Sequence, residues 1–218
     1  LLFSFPMPIL LALALNEITS VRYKKITQTI IYLPHFIGWV VVYTILQGFL
    51  SQADGIVNQV IVMFGGKKIP FLASEPWFRP VMILSEIWKE AGWGTVVYLA
   101  ALAGIDPAIQ EAAMIDGANR WQRIRYIFLP CILSTVTVML IMRMGTILNN
   151  GLEQTLLFQN SMNIDVSEVL ETYSYSVGLK QGRFAFGTAI GLFQSVVGCI
   201  MVFVSNFISK KTGGSGLW

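Results

Sequence analysis

The sequence predicts an all-α integral membrane protein, a polytopic helical bundle forming a single domain over residues 1–218. Three observations carry this. Only 12% of the 218 residues are charged, about half of the roughly 25% usual in a globular chain. Hydrophobic residues make up 55% of the chain and its mean hydropathy is +0.64. The apolar residues also gather into runs approaching the about 20 helical residues that cross a hydrocarbon core of about 30 Å.

The same composition excludes a disordered chain, a disulfide scaffold and a nucleic-acid binder, because the net charge of +3 comes from few charges and forms no basic stripe. Cys131 and Cys199 both lie in apolar runs and read as small buried hydrophobes, not as a disulfide pair. The single histidine, His35, builds no metal site with them, so neither a metal nor a catalytic residue is expected.

Five spans are expected in order. Residues 1–15 are short for a crossing and carry Pro6 and Pro8, which reads as a helix cut at its start or bent by its prolines; a missing N-terminal portion is expected. Residues 28–50 follow, with Pro34 as a kink or entry point. Residues 77–105 are interrupted by Glu86, Lys89 and Glu90, and residues 131–148 contain Arg143. Residues 184–208 form the most uniformly apolar run, in which Gly187, Gly191 and Ser195 make a small-residue stripe open to close helix approach. The glycine-rich tail, residues 212–218, is expected to fray.

Loop charge orients these spans, since Lys and Arg are retained on the cytoplasmic side. Arg22, Lys24, Lys25, Arg120, Arg123, Arg125, Lys210 and Lys211 fall on one side, against Lys67, Lys68, Arg79, Lys180 and Arg183 on the other. The C-terminus is therefore expected in the cytoplasm and the long loops 51–76 and 149–183 outside.

Residues 105–130 carry the most information. Asp106 followed by Pro107 is an N-cap with proline at the first helical position, and Gly117 suits the left-handed residue that ends a helix. A short helix, a glycine turn and a second, basic helix follow, entering the membrane near Pro130. A polar helix-turn-helix pinned between two spans is shaped to be gripped by a partner.

Its residues resemble a known signature. Glu111-Ala112-Ala113, three residues, Gly117, nine residues, Ile127, one residue, then Leu129-Pro130 is similar to the EAA loop of binding-protein-dependent ABC importer permeases. The resemblance implies the MetI-like bundle of type I importers, with a further span preceding residue 1. It implies that the loop couples to an ATPase subunit through Glu111, Ala112, Ala113, Asp116, Gly117 and Arg120. Leu15-Asn16-Glu17, Tyr32-Leu33-Pro34-His35-Phe36, Ile87-Trp88-Lys89, Gly92-Trp93, the run from Tyr98 to Asp106 and Ala189-Ile190-Gly191-Leu192-Phe193 resemble the LplB-like branch, associated with oligo- and polysaccharide uptake. That branch commonly has Asp-Val-Ile-Asp-Thr-Tyr where this chain has Glu168-Val169-Leu170-Glu171-Thr172-Tyr173, so charge is kept with longer reach. The implied partners are a second related permease, two ATPase subunits that hold the ATP and Mg, an extracytoplasmic solute-binding protein, a saccharide and the lipid bilayer of a bacterial inner membrane. No cofactor is expected in this chain.

Intramembrane charges need partners or water, since each costs about 2.5 to 3.5 kcal/mol at the centre of an inserted helix. Glu86, Lys89, Glu90 and Arg143 are thus either an ion-pair framework or the lining of an aqueous path, with Trp88 and Trp93 offering flat faces to sugar rings and Asn149 and Asn150, with Glu153, forming an outer gate. His35 reads as a neutral, hydrogen-bonded structural residue. Two other functions remain on the sequence alone, a permease for peptides or amino acids and a secondary transporter. An enzyme is disfavoured: H-E-x-x-H, G-x-S-x-G and a complete Walker A pattern are all absent.

Overall fold

The computed structural model describes residues 1–211, 216 and 217. Among the described residues the chain is helical throughout, with no strand: α1 Pro6–Asn16, α2 Val21–Tyr32, α3 Trp39–Leu50, α4 Ile56–Met63, α5 Glu75–Ala103, α6 Pro107–Ile115, α7 Arg120–Arg123, α8 Leu129–Gly145, α9 Leu152–Phe158, α10 Ile164–Ser167, α11 Leu170–Ser174 and α12 Phe184–Lys211. The expected fraying of the tail concerns residues 212–215 and 218, which lie outside the described residues.

Pro6 and Pro8 do not bend α1. Pro6 opens the helix and Pro8 falls in its first turn, where the N–H groups that proline lacks have no intrahelical acceptor anyway. Pro130 acts differently. Its ring crowds the carbonyl of the preceding turn, and the backbone widens to a π turn over Ile124–Phe128 immediately before it. The helix continues through this turn, so the fourth span begins well before residue 131 and runs as Arg120–Gly145, 26 residues in all.

The span expected over residues 28–50 is interrupted. A 3₁₀ turn at Leu33–Phe36 contains the buried Pro34, and Gly38 is extended (φ −64°, ψ 150°) as the N-cap of α3. Hydropathy does not register such a break, because the flanking residues stay apolar. Two helices, Arg120–Gly145 and Phe184–Lys211, are by themselves long and apolar enough to cross a membrane. Four crossings result if the interrupted pairs 21–36 with 39–50 and 75–103 with 107–115 each count as one. The first expected span, residues 1–15, differs: α1 has 11 residues, short of a crossing. The segments 51–76 and 149–183 carry α4 and α9 to α11.

The chain divides into two compact units. The first comprises Leu1–His35, Ile87–Thr146 and Gly198–Trp218. Its core joins Ala12 and Leu13 of α1 to Tyr98, Leu102 and Ile105 at the end of α5 and to Phe128 and Ile132 at the entry to α8. Lipid tails are as apolar as these side chains, so close packing, more than exclusion of water, holds the helices together. The packing is close where α8 meets α12, at Gly145 and the buried Gly198: a Cβ on Gly198 would run into the Gly145 carbonyl.

The second unit comprises Phe36–Glu86 and Ile147–Val197. Phe78 and Val81 of α5 pack with Phe158 of α9, whose ring meets Tyr43 edge to face at 5.0 Å. Buried asparagines organise its loops. Asn58 donates to the carbonyls of Ser51 and Ile69, each at 2.9 Å, and accepts from the Ile69 N–H at 2.7 Å. Asn163 donates to the Phe158 carbonyl at 3.0 Å and accepts from the Asn160 N–H at 2.8 Å. Of the small-residue stripe, Gly187 abuts Gly178, whereas the position of a Cβ on Gly191 is open.

Cys131 and Cys199 are free, but both are exposed and not buried. They lie on apolar helix faces turned outward, where the apolar surroundings that sequence reads as a core are expected to be lipid.

Candidate functional site

The loop between α5 and α8 is built from local signals. Asp106 caps α6 by accepting from the Ala108 N–H at 2.9 Å. Gly117, at φ +80°, ends α6 in a Schellman turn: the Ala118 N–H reaches the Ala113 carbonyl at 2.9 Å and the Gly117 N–H the Met114 carbonyl at 3.1 Å. Asn119 and Gln122 then form a reciprocal capping box at the start of α7, at 2.9 and 2.8 Å. This box was missed in the sequence, although Asn-x-x-Gln at 119–122 is its signal. The backbone of the turn is thus satisfied internally, and its side chains are left to face outward.

Glu111, Ala112, Asp116, Gly117 and Arg120 are exposed and Ala113 is half-buried. Apolar side chains are exposed beside them, Ile115 at 87% and Trp121 at 74%, with Ile109, Met114 and Tyr126 also uncovered. A concavity of about 270 Å³ at the turn is lined by Asp116, Gly117, Gln122 and Tyr126. Exposed apolar side chains beside a polar concavity are the form a docking site takes.

Within the first unit, Lys89, Glu90 and Trp93 converge on His35. The Lys89 ammonium donates to the His35 carbonyl and to Glu90 Oε1, both at 2.9 Å. His35 Nδ1 lies 2.7 Å from Glu90 Oε2, and since the carboxylate accepts, the ring proton sits on Nδ1. Trp93 stacks on the imidazole at 4.8 Å with the planes 3° apart. His35 is hydrogen-bonded as expected. Lys89 is only 6% exposed, which makes it a brace between α5 and the 3₁₀ turn. Trp88 stands half-exposed on the same helix, and Arg143 is exposed on α8.

Lys89→Met is therefore expected to lower the amount of folded protein more than the activity of each folded molecule. Without the ammonium, the His35 carbonyl and the partly exposed Glu90 lose the donor that holds α5 against the 3₁₀ turn. Yield and melting temperature of the purified variant check this; normal yield with lost transport would instead place Lys89 against solute.

Glu86, Asn149 and Asn150 belong to the second unit. There the Asn150 N–H donates to Glu171 Oε2 at 2.9 Å. Glu171 also borders a cleft of about 420 Å³ lined by Ser174, Tyr175, Thr188 and Gln194 among others. These residues were not singled out from sequence, and only the π turn at Tyr175–Lys180 brings several of them to one rim. Among the described residues no group of three His, Cys, Asp or Glu could hold a metal ion.

Residues 4–213 match the family model described as binding-protein-dependent transport system inner membrane component. The chain belongs to this family. As a member it is a membrane-embedded transport component and not an enzyme. It is 47% identical to Protein LplB of Bacillus subtilis (strain 168) over all of this chain and 69% of that protein. It is equally 47% identical to the polygalacturonan/rhamnogalacturonan transport system permease protein YteP of the same organism, over 98% of this chain and 67% of that protein. Among solved structures, a bacterial alginate ABC transporter in complex with an alginate pentasaccharide-bound periplasmic protein has a chain that superposes with a TM-score of 0.93 at 45% identity, covering 99% of this chain and 75% of that one. The inner-membrane component fold seen in these relatives is the expected all-α permease bundle.

Proposed function

We propose that this chain is the transmembrane permease subunit of an ATP-driven ABC importer, forming half of the translocation path for an oligosaccharide or polysaccharide fragment. The exposed apolar surface around Gly117 carries the reading. A loop that satisfies its own backbone yet leaves Ile115 and Trp121 uncovered is built to enter a groove on another protein. That protein is taken to be an ATPase subunit, present twice in the complex and holding ATP and Mg, as the likeness of residues 111–130 to the EAA loop of ABC importer permeases implies. A second related permease supplies the other half of the path, and an extracytoplasmic solute-binding protein delivers solute. The C-terminus lies in the cytoplasm.

The saccharide class is supported by the likeness to YteP and to the alginate transporter. In the first unit the exposed faces of Trp88 and Trp93 suit the C–H face of a sugar ring; in the second, by itself, the hydroxyl, carboxylate and amide groups of Ser174, Glu171 and Gln194 suit saccharide hydroxyls. Glu90 and Arg143 in the first unit, and Glu86, Asn149 and Asn150 in the second, are each assigned to the polar surroundings of the path, with Lys89 bracing Glu90 and the His35 carbonyl.

Two measurements test this. In liposomes carrying the complex, uptake of a labelled oligogalacturonide or alginate oligomer is expected only with both ATP and the binding protein; uptake without nucleotide would make the chain a secondary transporter. In cells, an impermeant thiol reagent should label cysteines placed in residues 51–66 and spare those in 116–125, and the reverse pattern would overturn the orientation.

A further inference from the structure

We infer that Glu17 is a positioning residue that ties α1 to the coupling loop and carries the motion of that loop into the membrane helices. The inference rests on the reading of residues 105–130 as the ATPase-docking loop and goes beyond it.

Glu17 is the C-cap of α1. A carboxylate is badly placed there for the helix itself, since the unpaired carbonyls of a C-terminus favour a cation. Its partners lie elsewhere. Glu17 Oε2 accepts from Arg123 Nη2 at 3.1 Å across 106 residues of sequence, and Arg120 Nε stands at 3.9 Å from the same oxygen. The Glu17 side chain is 14% exposed and that of Arg123 16%. Arg123 Nε is also buried with no hydrogen-bond partner. Withdrawing two charges from water returns little net stability, and an unsatisfied guanidinium nitrogen returns less. Such a pair is better explained by what it positions.

It positions the first turn of the 26-residue helix Arg120–Gly145, directly after the Gly117 turn, against the end of α1. α1 in turn packs through Ala12 and Leu13 on α5 and α8. A displacement of the docking surface therefore reaches the bundle by two routes, along the axis of the long helix and sideways through Glu17 into α1. The two arginines lie three residues apart, one turn of the helix. Arg120 is 75% exposed, so rotation or sliding of that turn can exchange Arg123 for Arg120 at Glu17 without stranding the carboxylate.

The test uses the complete importer in liposomes, with complex yield, ATP hydrolysis and solute moved per ATP as readouts. Glu17→Gln keeps the shape and removes the charge. It is expected to assemble and hydrolyse ATP while solute moved per ATP falls at least fivefold. Arg123→Glu alone should lose at least as much, and the swapped pair Glu17→Arg with Arg123→Glu should recover half or more of the wild-type ratio. An unchanged ratio in Glu17→Gln would overturn the inference, as would a swapped pair that assembles without recovery. If Glu17→Gln fails to assemble, the swapped pair decides alone: recovery supports the strut and no recovery rejects it. Crosslinking of Met114→Cys to the ATPase subunit tests the docking reading separately, so a docking surface placed wrongly is distinguishable from a strut that transmits nothing.

Discussion

Gly198→Leu is expected to abolish the folded chain. Gly198 is buried in α12 where that helix meets α8, and the first atom of any side chain would collide with the backbone carbonyl of Gly145. A carbonyl on a helix cannot rotate aside as a side chain can. On the other side of the contact, a Cβ on Gly145 would lie 2.7 Å from Val202 Cγ2, so the approach is close in both directions. The two helices must part, and every contact along the seam is weakened with them. Overpacking in a core costs about 1–3 kcal/mol where side chains can adjust, and here backbone stands against backbone. No exclusion of water draws apolar helices back together in lipid, so the lost contact is not replaced. Gly191→Leu is the control, because a Cβ there meets open space. Size-exclusion profiles in detergent and thermal melts should show Gly198→Leu aggregated or absent and Gly191→Leu close to wild type. Equal behaviour of the two would mean that the α8 to α12 contact does not hold the unit together.

The contrast between these glycines marks what the sequence discloses. Gly187, Gly191 and Ser195 form a regular stripe that spacing alone identifies, yet of its two glycines only Gly187 meets a neighbour, Gly178, while the place of a Cβ on Gly191 stays open. Gly198 lies three residues beyond Ser195 on the same helix face, but spacing does not disclose that its neighbour is Gly145, more than fifty residues away. The same division runs through the charges. Lys89 donates to Glu90 beside it, a local contact, and to the carbonyl of His35, which only the tertiary fold supplies. Glu17 and Arg123 are 106 residues apart, and nothing in either neighbourhood signals the other.

Features encoded locally were legible. The Asp106 cap, the Pro107 start and the left-handed Gly117 are each fixed by the chemistry of one or two residues, and the structure has all of them. The fold class was legible from composition, because a chain with so few charges has lipid as its only stable solvent. The break at residues 37 and 38 was legible only as the kink expected at Pro34; that the span divides into two helices was not, because a hydropathy window averages over a turn this short.

Gly117→Val is expected to uncouple ATP hydrolysis from transport. At φ +80° the position suits glycine, and a β-branched residue there carries strain of about 1–2 kcal/mol or more. Space is no obstacle, since a Cβ would meet nothing within 4 Å; the penalty lies in the backbone. It is relieved by letting φ go negative, which breaks the two bonds of the Schellman turn, Gly117 to Met114 and Ala118 to Ala113. The end of α6 then loses its fixed direction relative to α7, whose capping box at Asn119 and Gln122 is independent of the turn and persists. Ile115 and Asp116, at the turn, move most. The spans are distant from the change in bonding, so the permease should insert and accumulate in normal amounts. Association with the ATPase should weaken and solute-stimulated hydrolysis should fall toward the basal rate, with Glu111→Ala milder because it removes one contact and leaves the backbone in place. Co-purification of the ATPase and stimulated hydrolysis in liposomes check both variants. Full stimulation in Gly117→Val would remove this turn from the coupling path, since no strained valine can present the surface that the glycine presents.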